Sequence, residues 1–185
     1  MDFMEKLKNK NIIAAARNPD DITAALGRQI GVVFLLAGDI FDLIKIAGNT
    51  HEKKPLFLVH LDLIRGVARD QAGISYLKRS FGIDGVISTH SSVIGYAKKA
   101  GLITIQRLFI VDSESLKSGA KLVQNCKPDG VEILPGIILP YIKEELAKLN
   151  FPPIIGGGLI KTHYDVKKIL DSGAIAISTS KKELW

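Results

Sequence analysis

The chain has 185 residues, of which 46% are hydrophobic and 24% charged, and its formal net charge is +6. These proportions are typical of folded globular proteins and exclude a disordered or fibrous chain, while the positive charge favours anionic partners. A lone cysteine, Cys126, excludes an internal disulfide, and the longest apolar run, residues 133–142, is interrupted by Pro135, Gly136 and Pro140 and is too short to span a membrane. Since no signal peptide is visible either, we expect a cytoplasmic protein with no membrane partner.

Short apolar runs rich in β-branched residues alternate with helix-like segments along the whole chain. Their near-continuous apolarity is typical of parallel strands buried on both faces. They recur on average about every 23 residues, which is the length of a compact strand–helix unit. The runs begin near Ile12, Val32, Leu56, Gly85, Ile103, Gly130, Ile154 and Ala174.

Capping residues mark where several helices begin. Asn18 precedes Pro19, a residue suited to the first position of a helix. Thr162 with Asp165, and Ser180 with Glu183, have the spacing of a capping box. The second pair predicts a short helix at the end of the chain.

Eight alternating units predict either a closed barrel or an open doubly wound sheet. An open sheet would carry a glycine fingerprint after its first strand, and the segment IIAAARNPDD has none. The sequence therefore predicts one compact (β/α)8 barrel of the TIM type over residues 1–185. Because TIM barrels usually have about 200 residues or more, we expect one helix to be shortened or missing.

The glycines of the segment IIGGGLIK lie where a barrel of this type binds phosphate, after the seventh strand. Glycine permits close approach of the backbone to an anion, and the end of the eighth strand opens a helix whose N–H groups suit the same ligand. In the structural alternative, the glycines relieve crowding in a small barrel and Ser180 only caps a helix. The predicted phosphate-binding residues are Gly156, Gly157, Gly158, Ser178, Thr179, Ser180 and Lys161.

Polar residues also end other strands, and in a barrel these positions converge on one opening. They are suited either to acid–base chemistry or to hydrogen bonding with the hydroxyls of a small polyol phosphate. Structural roles stay open as well, such as helix capping by Asp39 or a core position for His60. Three carboxylates, Asp39, Asp62 and Glu132, would suit a hard cation, but their spacing does not require a metal. The whole set is Arg17, Asp39, His60, Asp62, His90, Arg107 and Glu132.

Basic residues cluster between the third and fourth strands. Arg65, Arg69, Lys78 and Arg79 would grip an RNA backbone through its phosphates, or else form a solvated face or a homo-oligomer contact. Aromatic residues make up only 6% of the chain, which argues against a platform for stacking single-stranded bases.

Several segments together resemble the glycerol-3-phosphate-responsive antiterminator family. The resemblance rests on HLDLIRGVARDQAGISYLK, GVISTH, IQRLFIVDSES, PDGVEILPGI and PPIIGGGLIKT, and it extends from Ile12 to the carboxyl terminus. It implies a barrel without enzymatic activity or cofactor that binds glycerol 3-phosphate as effector and then binds leader mRNA of glycerol operons. Asp39, Asp62, Glu132 and Arg17 would then contact the glycerol portion. The assignment of RNA contacts to Arg65, Arg69, Lys78 and Arg79 rests on their charge and not on the resemblance.

Two other functions compete with this regulator. A barrel of this kind could be an isomerase or lyase acting on a triose phosphate, although short loops leave little length for a lid and no catalytic motif is recognisable. It could also be a metabolite sensor that acts only through another protein. The sequence assigns a catalytic role to no residue.

Overall fold

Eight parallel strands close into a barrel in the computed structural model, which describes residues 3–8, 10–47 and 55–185. Each strand is hydrogen bonded to the next along the chain, and the last pairs with the first. This arrangement confirms the predicted (β/α)8 barrel. The strands are β1 (Ile12–Ala16), β2 (Val32–Leu35), β3 (Leu56–His60), β4 (Gly85–Ser88), β5 (Ile103–Phe109), β6 (Gly130–Leu134), β7 (Ile154–Gly157) and β8 (Ala176–Thr179).

One helix precedes the barrel and one follows each of the first seven strands. After β8 the described residues form a 3₁₀ turn, Lys182–Leu184. Within the described residues, no helix is long and apolar enough to cross a membrane. The helices are α1 (Phe3–Leu7), α2 (Pro19–Gly27), α3 (Ile40–Ala47), α4 (Gln71–Phe81), α5 (Ser91–Lys99), α6 (Ser113–Cys126), α7 (Lys143–Lys148) and α8 (His163–Asp171).

Two of the three predicted helix starts are confirmed. The Asn18 side chain accepts a hydrogen bond from the Asp21 N–H at 2.9 Å, and Thr162 forms a reciprocal capping box with Asp165. The capping box predicted at Ser180 is wrong, because the final turn begins after Lys181 and has only three residues. The chain turns back there, since the Trp185 indole donates to the Thr179 carbonyl at 2.8 Å.

The barrel interior is filled by apolar side chains from the strands and from α1. Phe3 and Leu7 belong to the same buried cluster as the inward-facing residues Ile13, Phe34 and Leu58. A Cβ atom on Gly31, just before β2, would lie 2.4 Å from the Lys6 carbonyl oxygen, so α1 packs directly against that end of the barrel. The amino ends of the strands are therefore covered, and the opposite end is left for a ligand.

Candidate ligand site at the barrel mouth

Buried polar side chains collect at the carboxyl ends of the strands. We call this end, with the loops that follow the strands, the mouth. Parallel strands bring all their carboxyl ends to one opening, which is why residues far apart in sequence meet there. The buried polar residues at this end include His60, Ser88, Arg107, Glu132, Ser178 and Thr179.

An ion pair occupies the centre of this polar layer. Arg107 on β5 and Glu132 on β6 are register partners, so their side chains lie side by side on the inner face. The Arg107 Nε–H donates to Glu132 Oε2 at 2.6 Å, and both residues are buried. Glu132 Oε1 accepts a second hydrogen bond, from the Ser178 hydroxyl on β8. The carboxylate is thus held from two sides.

The three glycines after Ile155 serve three different purposes. The Glu132–Ser178 hydrogen bond passes over Gly157, where a Cβ atom would lie 2.7 Å from Glu132 Oε1 and 2.8 Å from Ser178 Oγ. A Cβ atom on Gly156 would lie 2.7 Å from Ile169 Cγ2 of α8. Gly158 has a φ of +79°, which favours glycine because it has no Cβ. Packing alone therefore accounts for Gly156 and Gly157, and phosphate binding at this run stays a prediction.

Loops after β7 and β8 meet beside this run, in a corner that we define by residues 158–161 and 180–181. The Lys181 ammonium donates to the Lys161 carbonyl at 2.7 Å and joins the two loops. The Lys161 N–H donates to Asp165, and the Lys181 N–H to the Thr179 hydroxyl. Lys161, Ser180 and Lys181 are exposed, so the corner presents two lysines and a hydroxyl to solvent.

A second polar cluster surrounds Asp62, just after β3. Asp62 Oδ1 accepts from the Ser88 hydroxyl at 2.6 Å, and Oδ2 accepts from the Thr89 N–H and hydroxyl, both at 2.8 Å. Burial by itself would raise the pKa of Asp62, but these hydrogen bonds outweigh it and hold the pKa below its usual value. Asp62 is therefore an ionised acceptor at neutral pH and a weak base.

His60, the last residue of β3, lies next to this carboxylate. Its exposed fraction is 2%, and Nδ1 lies 3.9 Å from Asp62 Oδ2, too far for a hydrogen bond. Burial, with the positive charge of Arg107, lowers the pKa of His60 to about 4. The imidazole is consequently neutral at physiological pH.

Of the four residues predicted to contact a polyol, two lie inside the mouth and two on its rim. Asp62 and Glu132 are inside. Asp39 caps α3 by accepting from the Phe41 N–H at 3.0 Å, and it pairs with Arg65 at 3.5 Å. Arg17 is exposed, and together with Asp39 it lines a cavity of about 250 Å³ between α2 and α3. The described residues contain no group of three or more His, Cys, Asp or Glu side chains that could hold a metal ion.

The four residues predicted to bind RNA do not form one patch. Arg65 pairs with Asp39, and Arg69 donates to the Asp62 carbonyl at 2.8 Å, so both lie at the mouth. Lys78 instead donates to the carbonyls of Ala100 and Gly101, just before β5 begins, and Arg79 lies beside it at the amino end of the barrel. The sequence places the four close together, but α4 carries two of them to the opposite end.

Sequence reasoning missed the hydroxyl groups that organise Asp62. Ser88 and Thr89 lie together at the end of β4, and a pair of hydroxyl residues at a strand end was the available signal. Gln106 was missed as well. It is buried, and its amide donates to the carbonyls of Ser88 and Thr89 at 3.1 and 2.9 Å, which fixes the end of β4.

The closed barrel with its polar mouth defines the class of protein, an α/β protein with the (β/α)8 fold. Solved enzymes share this fold at low sequence identity. The aldolase QR15 is 11% identical with a TM-score of 0.71, covering 98% of this chain and 93% of its own. A phosphoribosyl anthranilate isomerase is 10% identical with a TM-score of 0.63, covering 92% of this chain and 87% of its own.

Residues 12–185 match the family model described as glycerol-3-phosphate responsive antiterminator, and the chain belongs to that family. The glycerol uptake operon antiterminator regulatory protein of Listeria monocytogenes is 36% identical, with a TM-score of 0.88 and 96% of each chain covered. A glycerol uptake operon antiterminator-related protein of Thermotoga maritima is 30% identical, with a TM-score of 0.82, covering 94% of this chain and 96% of its own. The uncharacterized protein YgcP of Escherichia coli is also 30% identical, over 100% of this chain and 96% of its own.

Proposed function

We propose that this protein is a cytoplasmic transcription antiterminator that binds glycerol 3-phosphate at the barrel mouth and leader mRNA of glycerol-utilisation operons. Membership of the family supports this role. The observation that carries it is the mouth itself, where a buried ion pair, Arg107–Glu132, lies between the Asp62 cluster and the corner at residues 158–161 and 180–181.

The phosphate group would bind at that corner. Lys161 and Lys181 supply positive charge from two adjacent loops, and the glycine turn at Gly158 brings backbone close to the ligand. Ser180 is exposed beside them, whereas the hydroxyls of Ser178 and Thr179 are already engaged. Within the predicted set, this argument favours Gly158, Lys161 and Ser180 as direct contacts.

A binding role suits the carboxylates of the mouth better than catalysis does. Glu132 is already engaged by both Arg107 and Ser178, and the lowered pKa of Asp62 makes that carboxylate a poor general base near neutral pH. The neutral His60 has a pKa of about 4, well below the value of an efficient general acid or base near pH 7. These properties support a regulator without enzymatic activity.

RNA would be bound at the same end of the barrel. Arg65 and Arg69 are exposed beside the mouth, where their guanidinium groups can reach a phosphate backbone. Arg69 also holds the carbonyl of Asp62, so effector and RNA would share a structural element. Binding of glycerol 3-phosphate in the mouth would then change the affinity for RNA through this contact of Arg69.

The proposed function is tested by measuring binding of a labelled glycerol-operon leader RNA at fixed salt, with and without glycerol 3-phosphate. We expect the phosphate ester to tighten RNA binding by about 5- to 150-fold, the usual range of coupling between two sites. Free glycerol and inorganic phosphate serve as controls and should have no such effect. Absence of RNA binding in every condition would overturn the proposal.

The same protein preparation separates the competing functions. Turnover of triose phosphates at ordinary enzymatic rates would identify an isomerase or lyase. Binding of glycerol 3-phosphate without any RNA binding would identify a sensor that acts through another protein.

A further inference from the structure

A buried nitrogen in the mouth lacks a hydrogen-bond partner. His60 Nδ1 is the one fully buried side-chain nitrogen or oxygen without a partner among the residues that the structure describes. Leaving a buried polar atom without a hydrogen bond is unfavourable, so such atoms are rare unless a ligand or water pairs with them. His60 ends β3 and points to the same interior as Arg107, whose charge acts on it.

The neighbouring carboxylate has capacity for one more hydrogen bond. Asp62 accepts from the Ser88 hydroxyl and from the N–H and hydroxyl of Thr89. A carboxylate offers about four lone-pair positions, so about one remains. The neutral imidazole of His60 carries one N–H and one acceptor nitrogen, and it can pair with a donor or with an acceptor.

The separation of the two groups fits one bridging oxygen. His60 Nδ1 and Asp62 Oδ2 are 3.9 Å apart. An oxygen about 2.8 Å from each of these atoms could form a hydrogen bond with both. The angle between the two hydrogen bonds at that oxygen would be roughly 90°. Such an oxygen must donate to the carboxylate, and it must also pair with the imidazole. A hydroxyl group satisfies both requirements, whereas a methyl group satisfies neither.

We propose that His60 and Asp62 together form a hydroxyl-recognition subsite, which selects ligands carrying an alcohol group a short distance from their anionic group. This inference rests on the proposed function, because the anionic group is taken to bind at the corner after β7 and β8. Polar groups lie between the two positions. Arg107 donates to Glu132, and Glu132 accepts from Ser178 over Gly157.

The subsite would set specificity. A protein group built to hydrogen bond a ligand hydroxyl is left unpaired by an analogue without it, and such sites reject the analogue strongly. Inorganic phosphate and simple alkyl phosphates would be bound weakly in comparison with a polyol phosphate. The regulator would thereby respond to a polyol phosphate in the presence of abundant phosphate.

The test compares ligands on the unaltered protein by calorimetry. The ligands are glycerol 3-phosphate, 3-hydroxypropyl phosphate, n-propyl phosphate and inorganic phosphate. We expect glycerol 3-phosphate to bind about 10- to 100-fold more tightly than n-propyl phosphate, as the loss of one or two buried hydrogen bonds implies. 3-Hydroxypropyl phosphate reports which of the two alcohol groups is recognised.

Variants then locate the effect. His60→Leu and Asp62→Asn should bring the ratio between glycerol 3-phosphate and n-propyl phosphate close to one, with affinity for n-propyl phosphate changed less than about threefold. The matched control is Asp171→Asn, which neutralises an exposed carboxylate at the last position of α8, at the end of that helix remote from the mouth. That variant should keep the full discrimination.

The outcomes separate this inference from the proposed function. Equal binding of all three organic phosphates by the unaltered protein would overturn the subsite, while the effector role would stand. Discrimination that survives in both His60→Leu and Asp62→Asn would also overturn it, since another group would then recognise the hydroxyl. Failure to bind any of the four ligands would overturn the proposed function together with the subsite.

Discussion

Single residues at the mouth are constrained mainly by what lies within 3 Å of them. Gly157 is the clearest case, because a hydrogen bond between side chains of β6 and β8 passes directly over its Cα. The same run of three glycines in the sequence suggests one shared purpose, a phosphate loop. In the structure each glycine has its own neighbours, so substitutions at the three positions should have different effects.

Replacing Gly157 with alanine should therefore destabilise the protein. The new Cβ would lie 2.7 Å from Glu132 Oε1 and 2.8 Å from Ser178 Oγ, and it would break their hydrogen bond. We expect a loss of about 1–3 kcal/mol in the free energy of unfolding, measured by urea denaturation. The matched control is Gly95→Ala in α5, where nothing lies within 4 Å of the added Cβ. It should be neutral or stabilising by up to about 1 kcal/mol, and an equal loss in both variants would contradict this account.

His60 should make stability depend on pH. Its pKa is about 4 in the folded protein, from an ordinary value of 6.5. As the pH falls below 6.5 the unfolded chain takes up a proton that the folded protein does not, so stability is complete above 6.5 and is lost toward pH 4. At pH 5 the loss is about 2 kcal/mol. The lowered pKa of Asp62 adds a further loss only below its ordinary value of 3.8.

Urea denaturation at pH 7 and pH 5 measures this contribution. The difference between the two values should be smaller by about 2 kcal/mol in His60→Asn than in the unaltered protein. His90→Asn, which changes an exposed histidine, should keep the original difference. If His60→Asn also kept the original difference between pH 7 and pH 5, the pH dependence of stability would have another source.

Among the elements, α1 determines which end of the barrel is open. It has five residues, too few to be stable as an isolated helix, so its structure depends on burying Phe3 and Leu7 in the barrel interior. Its backbone lies against Gly31, just before β2, and it thereby covers the amino ends of the strands. The ligand site is consequently restricted to the carboxyl ends.

Leu7→Ala should therefore destabilise the protein as much as a leucine-to-alanine substitution in the centre of the core. Leu7 has an exposed fraction of 3%, and we expect its loss to lower the free energy of unfolding by about 2–4 kcal/mol. Glu5→Ala, an exposed position on the same helix, should change it by less than about 0.5 kcal/mol. Similar values for the two variants would mean that α1 does not contribute to the barrel core.

At the scale of the whole molecule, the barrel separates basic residues that are neighbours in sequence. α4 runs from the mouth to the amino end, with Arg69 before its start and Arg79 in its last turn. Lys78 is engaged there with the carboxyl end of α5, so its charge serves a structural purpose. Of the four basic residues, only Arg65 and Arg69 are placed to act together with the mouth.

RNA binding should therefore depend on the mouth pair and not on net charge alone. The test compares two double variants. One combines Arg65→Gln and Arg69→Gln, and the other combines Arg79→Gln and Lys99→Gln, so each has two fewer positive charges than the unaltered protein. The first should weaken RNA binding and reduce its salt slope by about 0.7–0.9 for each phosphate that the protein no longer neutralises. The second should stay within about twofold of the unaltered protein. Equal weakening in both double variants would show that only total charge matters.

The sequence by itself determined the strand–helix repeat, the barrel and the starts of α2 and α8. Periodicity and capping depend on residues a few positions apart, so they can be read without knowing the fold. The order of elements also placed Asp62 just after β3 and Glu132 within β6.

Only the tertiary structure decided which of these residues meet. The partnership of Arg107 with Glu132 follows from the register of β5 and β6, and the need for glycine at position 157 follows from a bond between strands on either side of it. The capping box expected at Ser180 failed because Trp185 draws the chain back to β8. Register and closure join residues from different strands, and the hydrogen bonds and burial that result have no counterpart in local sequence.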